Sequence, residues 1–201
     1  LQASISVFKA AAYTFDEATG KFTAAPEGAE MTYEVIIPGG GTGDHPAFGI
    51  LTAAKEALAT IGITLQINDP SDSSVWNNAL EANTAEMWAG AWGATVDPDM
   101  YQVYHSDNAN GKGTNSNHYS IEDADLDEMI IAARNSADQS YRKATYKECL
   151  ETILDWGVEI PTYQRQNAVV ISTERVNVST MTPDITTFWG WTNDIEKLEM
   201  N

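Results

Sequence analysis

The sequence is poor in cations, almost free of cysteine and without long apolar runs, and each shortage removes a class of function. Only 11 lysines and arginines stand against 29 aspartates and glutamates, a formal charge of −18. Such a surface repels phosphate backbones and anionic lipid, so nucleic acid is not expected as a partner. Cys149 is the single cysteine, which forbids an internal disulfide and leaves the redox compartment undecided. No stretch approaches the roughly 18 apolar residues that would cross a bilayer. The start at Leu1 has neither Met nor the basic and apolar segments of a signal peptide, so the chain reads as a cut or processed piece.

Nucleotide, metal and nucleophile signals are equally thin. Gly39–Gly43 (GGGTG) follows a strand pattern and precedes a helix, as a phosphate loop would, but completes neither GxGxxG nor GxxxxGK[ST]. The run Glu122, Asp123, Asp125, Asp127, Glu128 resembles the start of a calcium loop without its glycine, and its acids suit a helix N-terminus better. His45, His105 and His118 are far apart and form no HExxH or His/Cys pattern. Cys149 falls mid-helix on an apolar face, the position of a core residue rather than of a reactive thiolate. No cofactor is expected.

What is present fits one α/β domain: 201 residues, 43% of them hydrophobic, suffice for a sizeable core. Val7–Tyr13 has a short helical end, and residues 16–26 read as a loop or small hairpin around Thr19-Gly20. Met31–Ile37 predicts a buried strand. Phe48, Leu51, Ala54, Leu58 and Ile61 recur at helical spacing after a possible Asp44 cap, with Gly62 at the stop. Ile63–Ile67 alternates as a second strand, completing a unit that gives parallel strands. Asp72 or Ser73 caps a short helix to about Glu81 with Val75, Trp76, Ala79 and Leu80 inward, and Ala85–Ala91 predicts another strand.

A long polar loop, residues 93–120, follows, with a helical chance only near Met100–His105. Two helices come next, about 123–135 with Leu126, Met129, Ile130 and Ala133 inward, and about 139–156 behind an Asp138 cap. The second places Tyr141, Thr145, Cys149, Ile153 and Trp156 near one face. Residues 159–172 read as strand-like, and the last 29 residues show no clear core pattern. Six tryptophans are many for this length. Trp88 and Trp156 lie inside regular elements and suit the core. Trp92 instead stands where a strand gives way to the long loop, and ligands of open α/β sheets collect outside the carboxyl ends of strands. The stretch Trp92–Asp97 is therefore the candidate site by geometry.

At these residues the chain resembles the C-terminal lobe of the oligopeptide/dipeptide/nickel-binding family of extracellular solute receptors, family 5. The likeness runs in order through Ala11–Tyr13, Thr19–Lys21, Ile61-Gly62-Ile63, Trp76, Trp92, Asp97-Pro98-Asp99, Asn117, Tyr119, Leu126-Asp127, Arg142, Tyr146 and Ile160-Pro161-Thr162-Tyr163. It implies a periplasmic-binding-protein-like (type II) lobe, a mixed sheet flanked by helices, spanning residues 1–172. Residues 173–201, with Trp189 and Trp191, would be the tail that returns to a missing N-terminal lobe. It further implies a binding component of an ABC importer, not an enzyme, taking a peptide or related small solute between two lobes and docking on permease subunits. Its place would be extracellular or periplasmic, anchored as a lipoprotein through the parent's N-terminus.

By position, the resemblance nominates Trp76, Trp92, Gly93, Ala94 and Thr95 as ligand contacts, with Asn117 and Tyr119. One departure bears on specificity: peptide-binding relatives have Asp three residues after the tryptophan, where Thr95 stands here, and Asp97 is the nearby candidate to replace it. A sugar or other solute is therefore open beside a peptide. Two other classes compete: a secreted acidic hydrolase of glycans with paired carboxylates in 93–128, and an interaction module using the loop and exposed aromatics.

Overall fold

A computed structural model describes every residue except Ala94, Arg165 and Asp184. The chain divides into two compact units, Leu1–Ala91 and Trp92–Asn201.

In the first unit, helix α1 (Gln2–Ala10) leads to an antiparallel hairpin, β1 (Thr14–Asp16) with β2 (Lys21–Ala24). Strand β3 (Thr32–Ile36), helix α2 (Pro46–Thr60) and strand β4 (Thr64–Asn68) form the expected parallel crossover. Helix α3 (Ser73–Glu81) then returns the chain to β5 (Met87–Trp88), which pairs in parallel with the other edge of β3, giving the order β4-β3-β5. The central position of β3 explains its composition, since Val35, Ile36 and Ile37 are all buried. Val35, Ile37 and Leu65 pack with Phe48, Leu51, Ala54 and Leu58 of α2. Tyr13 and Phe22 from the hairpin region close over Ile61 and Ile63 in a second cluster. Gly62 is required between those isoleucines. Its φ is +86°, and a Cβ there would stand 2.5 Å from the Phe22 carbonyl oxygen.

The second unit is built on α5 (Ala124–Arg134) and α6 (Gln139–Asp155), preceded by the one-turn helix α4 (Tyr101–Tyr104) and a 3-10 turn at Ser106–Asn108. Asp123 accepts the Leu126 N–H and Asp138 the N–H groups of Ser140 and Tyr141, capping both long helices. Between them Leu126, Ile130, Ala133, Cys149 and Ile153 are sealed from solvent. Each fully buried Leu or Ile contributes about 1.5–3 kcal/mol.

Several sequence expectations need correction. His45, not Asp44, caps α2, its Nδ1 accepting the Ala47 N–H. The strand read over Ala85–Ala91 is only two residues long; just past it the Ala89 N–H still donates to the Ile36 carbonyl while its own carbonyl accepts the Trp76 indole. Val75, Tyr141 and Trp156 are exposed, while Tyr146 of α6 is buried in the core. The strand read over 159–172 is absent among the described residues. Ile160 and Val170 are 80% and 96% exposed, and a strand persists only where a neighbour takes its N–H and C=O groups. No described residue after Ile153 is buried.

Candidate functional site

The carboxyl ends of β3, β4 and β5 carry the loops where an α/β sheet receives ligands. The glycine loop after β3 is already filled from within. Asp69, just beyond β4, accepts the N–H groups of Gly41 at 3.1 Å and Gly43 at 3.2 Å, so the amides that would cradle a phosphate hold a carboxylate of the same chain. Beside β5, Trp76 donates its indole N–H to Ala89 O at 3.1 Å and meets Trp88 edge to face, ring centroids 6.3 Å apart. Trp88 is thus half of a partly exposed pair rather than a core residue. Gly90 lets the two indoles close in, since a Cβ there would sit 3.0 Å from Trp76 and 3.1 Å from Trp88.

The second unit brings together an aromatic group that no single sequence segment reveals. Trp92, 44% exposed, stacks on His118 with centroids 6.1 Å apart and planes 12° from parallel. Tyr119 stacks on Tyr104 at 5.6 Å, again 12° from parallel. The Tyr104 hydroxyl donates to Glu159 at 2.7 Å. Burial first, then the bond to Glu159, pushes the Tyr104 phenol well above the ordinary tyrosine range. Tyr119 is raised as well, by burial and then by the Glu159 charge, and its side chain also bonds Trp92. Both phenols therefore remain neutral hydrogen-bonding groups at any physiological pH, next to flat apolar rings. That combination suits a solute with a flat or apolar face and polar edges.

Of the nominated residues, Trp92 and Tyr119 join in this group. Gly93 and Thr95 are exposed beside it in the chain, and Ala94 lies outside the described residues. Thr95 donates its hydroxyl to the Asp97 carbonyl at 2.8 Å. Asp97 accepts from Arg142 of α6 at 2.6 Å, and Asp99 pairs with Arg134 of α5 at 3.3 Å while also accepting the Tyr101 N–H. Asp97-Pro98-Asp99 thus clamps the loop to both helices. Asn117 is wholly buried: its amide donates to the carbonyls of His105 and Ile121, and its oxygen accepts the Ile121 N–H. It holds the loop that presents His118 and Tyr119. Trp76 belongs to the first unit.

The residues missed from sequence are Tyr104, His118 and Glu159; Tyr104 and His118 lie inside the polar loop, and no local pattern connects Glu159 to them. That loop is internally built, with Asn108 accepting from Thr114 and donating to the Tyr101 carbonyl. Cys149 is buried, and burial raises its thiol pKa. Among the described residues no group of three or more His, Cys, Asp or Glu could hold a metal, and no helix is long and apolar enough to cross a membrane.

No protein-family model matches the chain, and no curated protein matches it. Solved structures do. The chain is similar to the oligopeptide-binding protein AppA from Bacillus subtilis in complex with a nonapeptide, with a TM-score of 0.61 and 15% identity over 78% of this chain and 30% of that one. It is similar to NikZ from Campylobacter jejuni in complex with Ni(L-His), with a TM-score of 0.58 and 16% identity over 76% and 29%. NikA from Brucella suis in complex with Fe(III)-EDTA gives 0.56 and 21% over 76% and 30%. These likenesses define a periplasmic-binding-protein-like α/β fold. The chain shares this fold with part of the solved oligopeptide- and nickel-type binding proteins, and it spans less than a third of the length of these neighbours.

Proposed function

We propose that this chain is the C-terminal lobe of a two-lobe receptor that captures a peptide or related small solute for an ABC importer. The observation that carries the reading is the exposed Trp92 stacked on His118 beside the Tyr104, Tyr119 and Glu159 group, in a chain whose fold is similar to part of a solute-binding protein. Trp92, Gly93, Ala94, Thr95 and Tyr119 are the proposed ligand-facing residues of the second unit, with Asn117 as their support and Asp97 at the margin. Trp76 is the proposed contact of the first unit. No bond is made or broken. The ligand touches both lobes only when they close, so its binding energy favours the closed form that permease subunits would recognise.

The receptor reading also accounts for the end of the chain. From 154 onward no described residue is fully buried, and Ile160, Tyr163, Val170, Ile195 and Met200 are apolar and exposed. Residues 1–172 are accordingly assigned to the lobe and 173–201 to a segment that packs on the N-terminal lobe of the same parent. In this reading the parent is extracellular or periplasmic and is anchored to the membrane through its own N-terminus.

Calorimetric titration of the full-length parent with defined peptides and a panel of oligosaccharides tests this. Saturable binding, accompanied by compaction in small-angle scattering, is the expected result. Heat absent throughout, together with consumption of a glycan, would replace the receptor with a hydrolase.

A further inference from the structure

Glu159 brings an unmatched negative charge to the aromatic group. The ion pairs that lysines and arginines form among the described residues take Glu17, Asp97, Asp99, Glu122, Glu151 and Asp194, and none takes Glu159. Its partners are phenols instead: the Tyr104 hydroxyl donates to it at 2.7 Å, and Tyr119 bonds the same carboxylate. Both phenols stay neutral, so they fix the position of the carboxylate without cancelling its charge. A carboxylate accepts about four hydrogen bonds, which leaves lone pairs for a further donor. Glu159 is only half-buried, and those lone pairs remain open to solvent on that side.

Trp92 is tied to the same phenol. The Tyr119 side chain bonds Trp92 as well as Glu159, so the indole and the carboxylate are joined through one residue. His118 stacks on Trp92, which is nevertheless 44% exposed. An open indole face attracts a cation through its ring quadrupole, and a fixed carboxylate binds it by a charge-assisted hydrogen bond. Among the described residues Glu159 belongs to no group of three metal-binding side chains, so the cation that fits is an amine rather than a metal ion.

Resting on the receptor reading above, we infer that Trp92, Tyr119 and Glu159 form a subsite for a protonated amine of the ligand, and that Glu159 is the residue that selects it. The loop acids do not compete for this part, since Asp97 is held by Arg142 and Asp99 by Arg134. The amine can be a peptide terminus or a side chain, and the two sources are separated by the choice of probe.

Calorimetry on the full-length parent tests this with four probes. Trialanine carries its amine at the terminus, N-acetyl-alanyl-lysyl-alanine carries it on a side chain, and N-acetyl-trialanine and maltotriose carry none. The wild type is expected to bind at least one amine probe about tenfold or more tightly than N-acetyl-trialanine, and the preferred one identifies the source of the amine. Glu159→Gln keeps an acceptor for the phenols and removes the charge. It is expected to erase that preference and leave N-acetyl-trialanine binding as before. A wild type that prefers neither amine probe over N-acetyl-trialanine, or that binds maltotriose alone, would overturn the inference and leave the receptor standing. So would a Glu159→Gln variant, folded by circular dichroism, whose preference is intact, since the amine would then be held elsewhere in the parent. If Glu159→Gln does not fold, Glu159→Asp decides, because it withdraws the charge by one methylene. A loss confined to the amine probes supports the inference, and an equal loss for all probes or none at all overturns it. Saturable binding of none of the four would overturn the receptor reading itself.

Discussion

The Asp69 carboxylate accepts the backbone N–H of Gly41 at 3.1 Å, and through its other oxygen that of Gly43, tying the loop after β3 to the end of β4. The bond joins two segments that are neighbours only because β3 and β4 are paired in parallel. Asp69→Ala should lower the stability of the first unit by about 2 kcal/mol, since two amides lose a charged acceptor. Urea unfolding of wild type and variant measures the difference. Equal midpoints would mean that water replaces the carboxylate at no cost.

Asn117 is the buried polar pin of the second unit. Asn117→Ala strands the carbonyls of His105 and Ile121 and the Ile121 N–H in a site without solvent. A cost of about 3 kcal/mol or more is expected, read as a fall in the thermal midpoint. Ligand affinity of the parent should fall in the same variant, because Tyr119 sits two residues away.

Gly62→Ala meets both a left-handed backbone and the Phe22 carbonyl. Loss of about 2–4 kcal/mol is expected from strain and displacement of the hairpin together. Gly28 is also left-handed, but nothing lies within 4 Å of its would-be Cβ, so Gly28→Ala serves as the milder comparison in the same denaturation assay.

Alkaline pH should loosen the first unit through Tyr13. Burial, then the hydrogen bond with the Tyr33 hydroxyl, raises its phenol from 10.0 to about 12. The folded form thus keeps a proton that the unfolded form gives up. The contribution is whole below about pH 10 and declines as pH rises toward about 12. Denaturation midpoints across this window should slope downward in wild type and less so in Tyr13→Phe. Parallel slopes would assign the alkaline loss to other groups.

The elements were legible where local chemistry is decisive. The apolar run at Val35–Ile37, the 3.6-residue recurrence from Phe48 to Leu58 and the Asp138 cap act within a few residues and appear as read, and of the two candidates Asp72 and Ser73 it is Asp72 that caps its helix. Trp156 and Val75 were misplaced because helical spacing gives a face, whereas burial depends on what lies opposite that face. The 159–172 stretch has strand composition and no strand, for want of a neighbour to take its backbone hydrogen bonds.

The site divides along the same line. Trp92 stood out from its place at the end of a strand, and Tyr119 from resemblance, but their association with His118, Tyr104 and Glu159 spans residues 92 to 159 and has no periodic trace. Composition and local pattern alone determined an acidic α/β chain with parallel crossovers, without a metal, nucleotide or disulfide signature. Tertiary structure decided that Asp69 fills the glycine loop, that Asp97 belongs to Arg142 and that the aromatic rings meet. Those outcomes depend on distances between groups far apart in sequence, which a one-dimensional pattern does not encode.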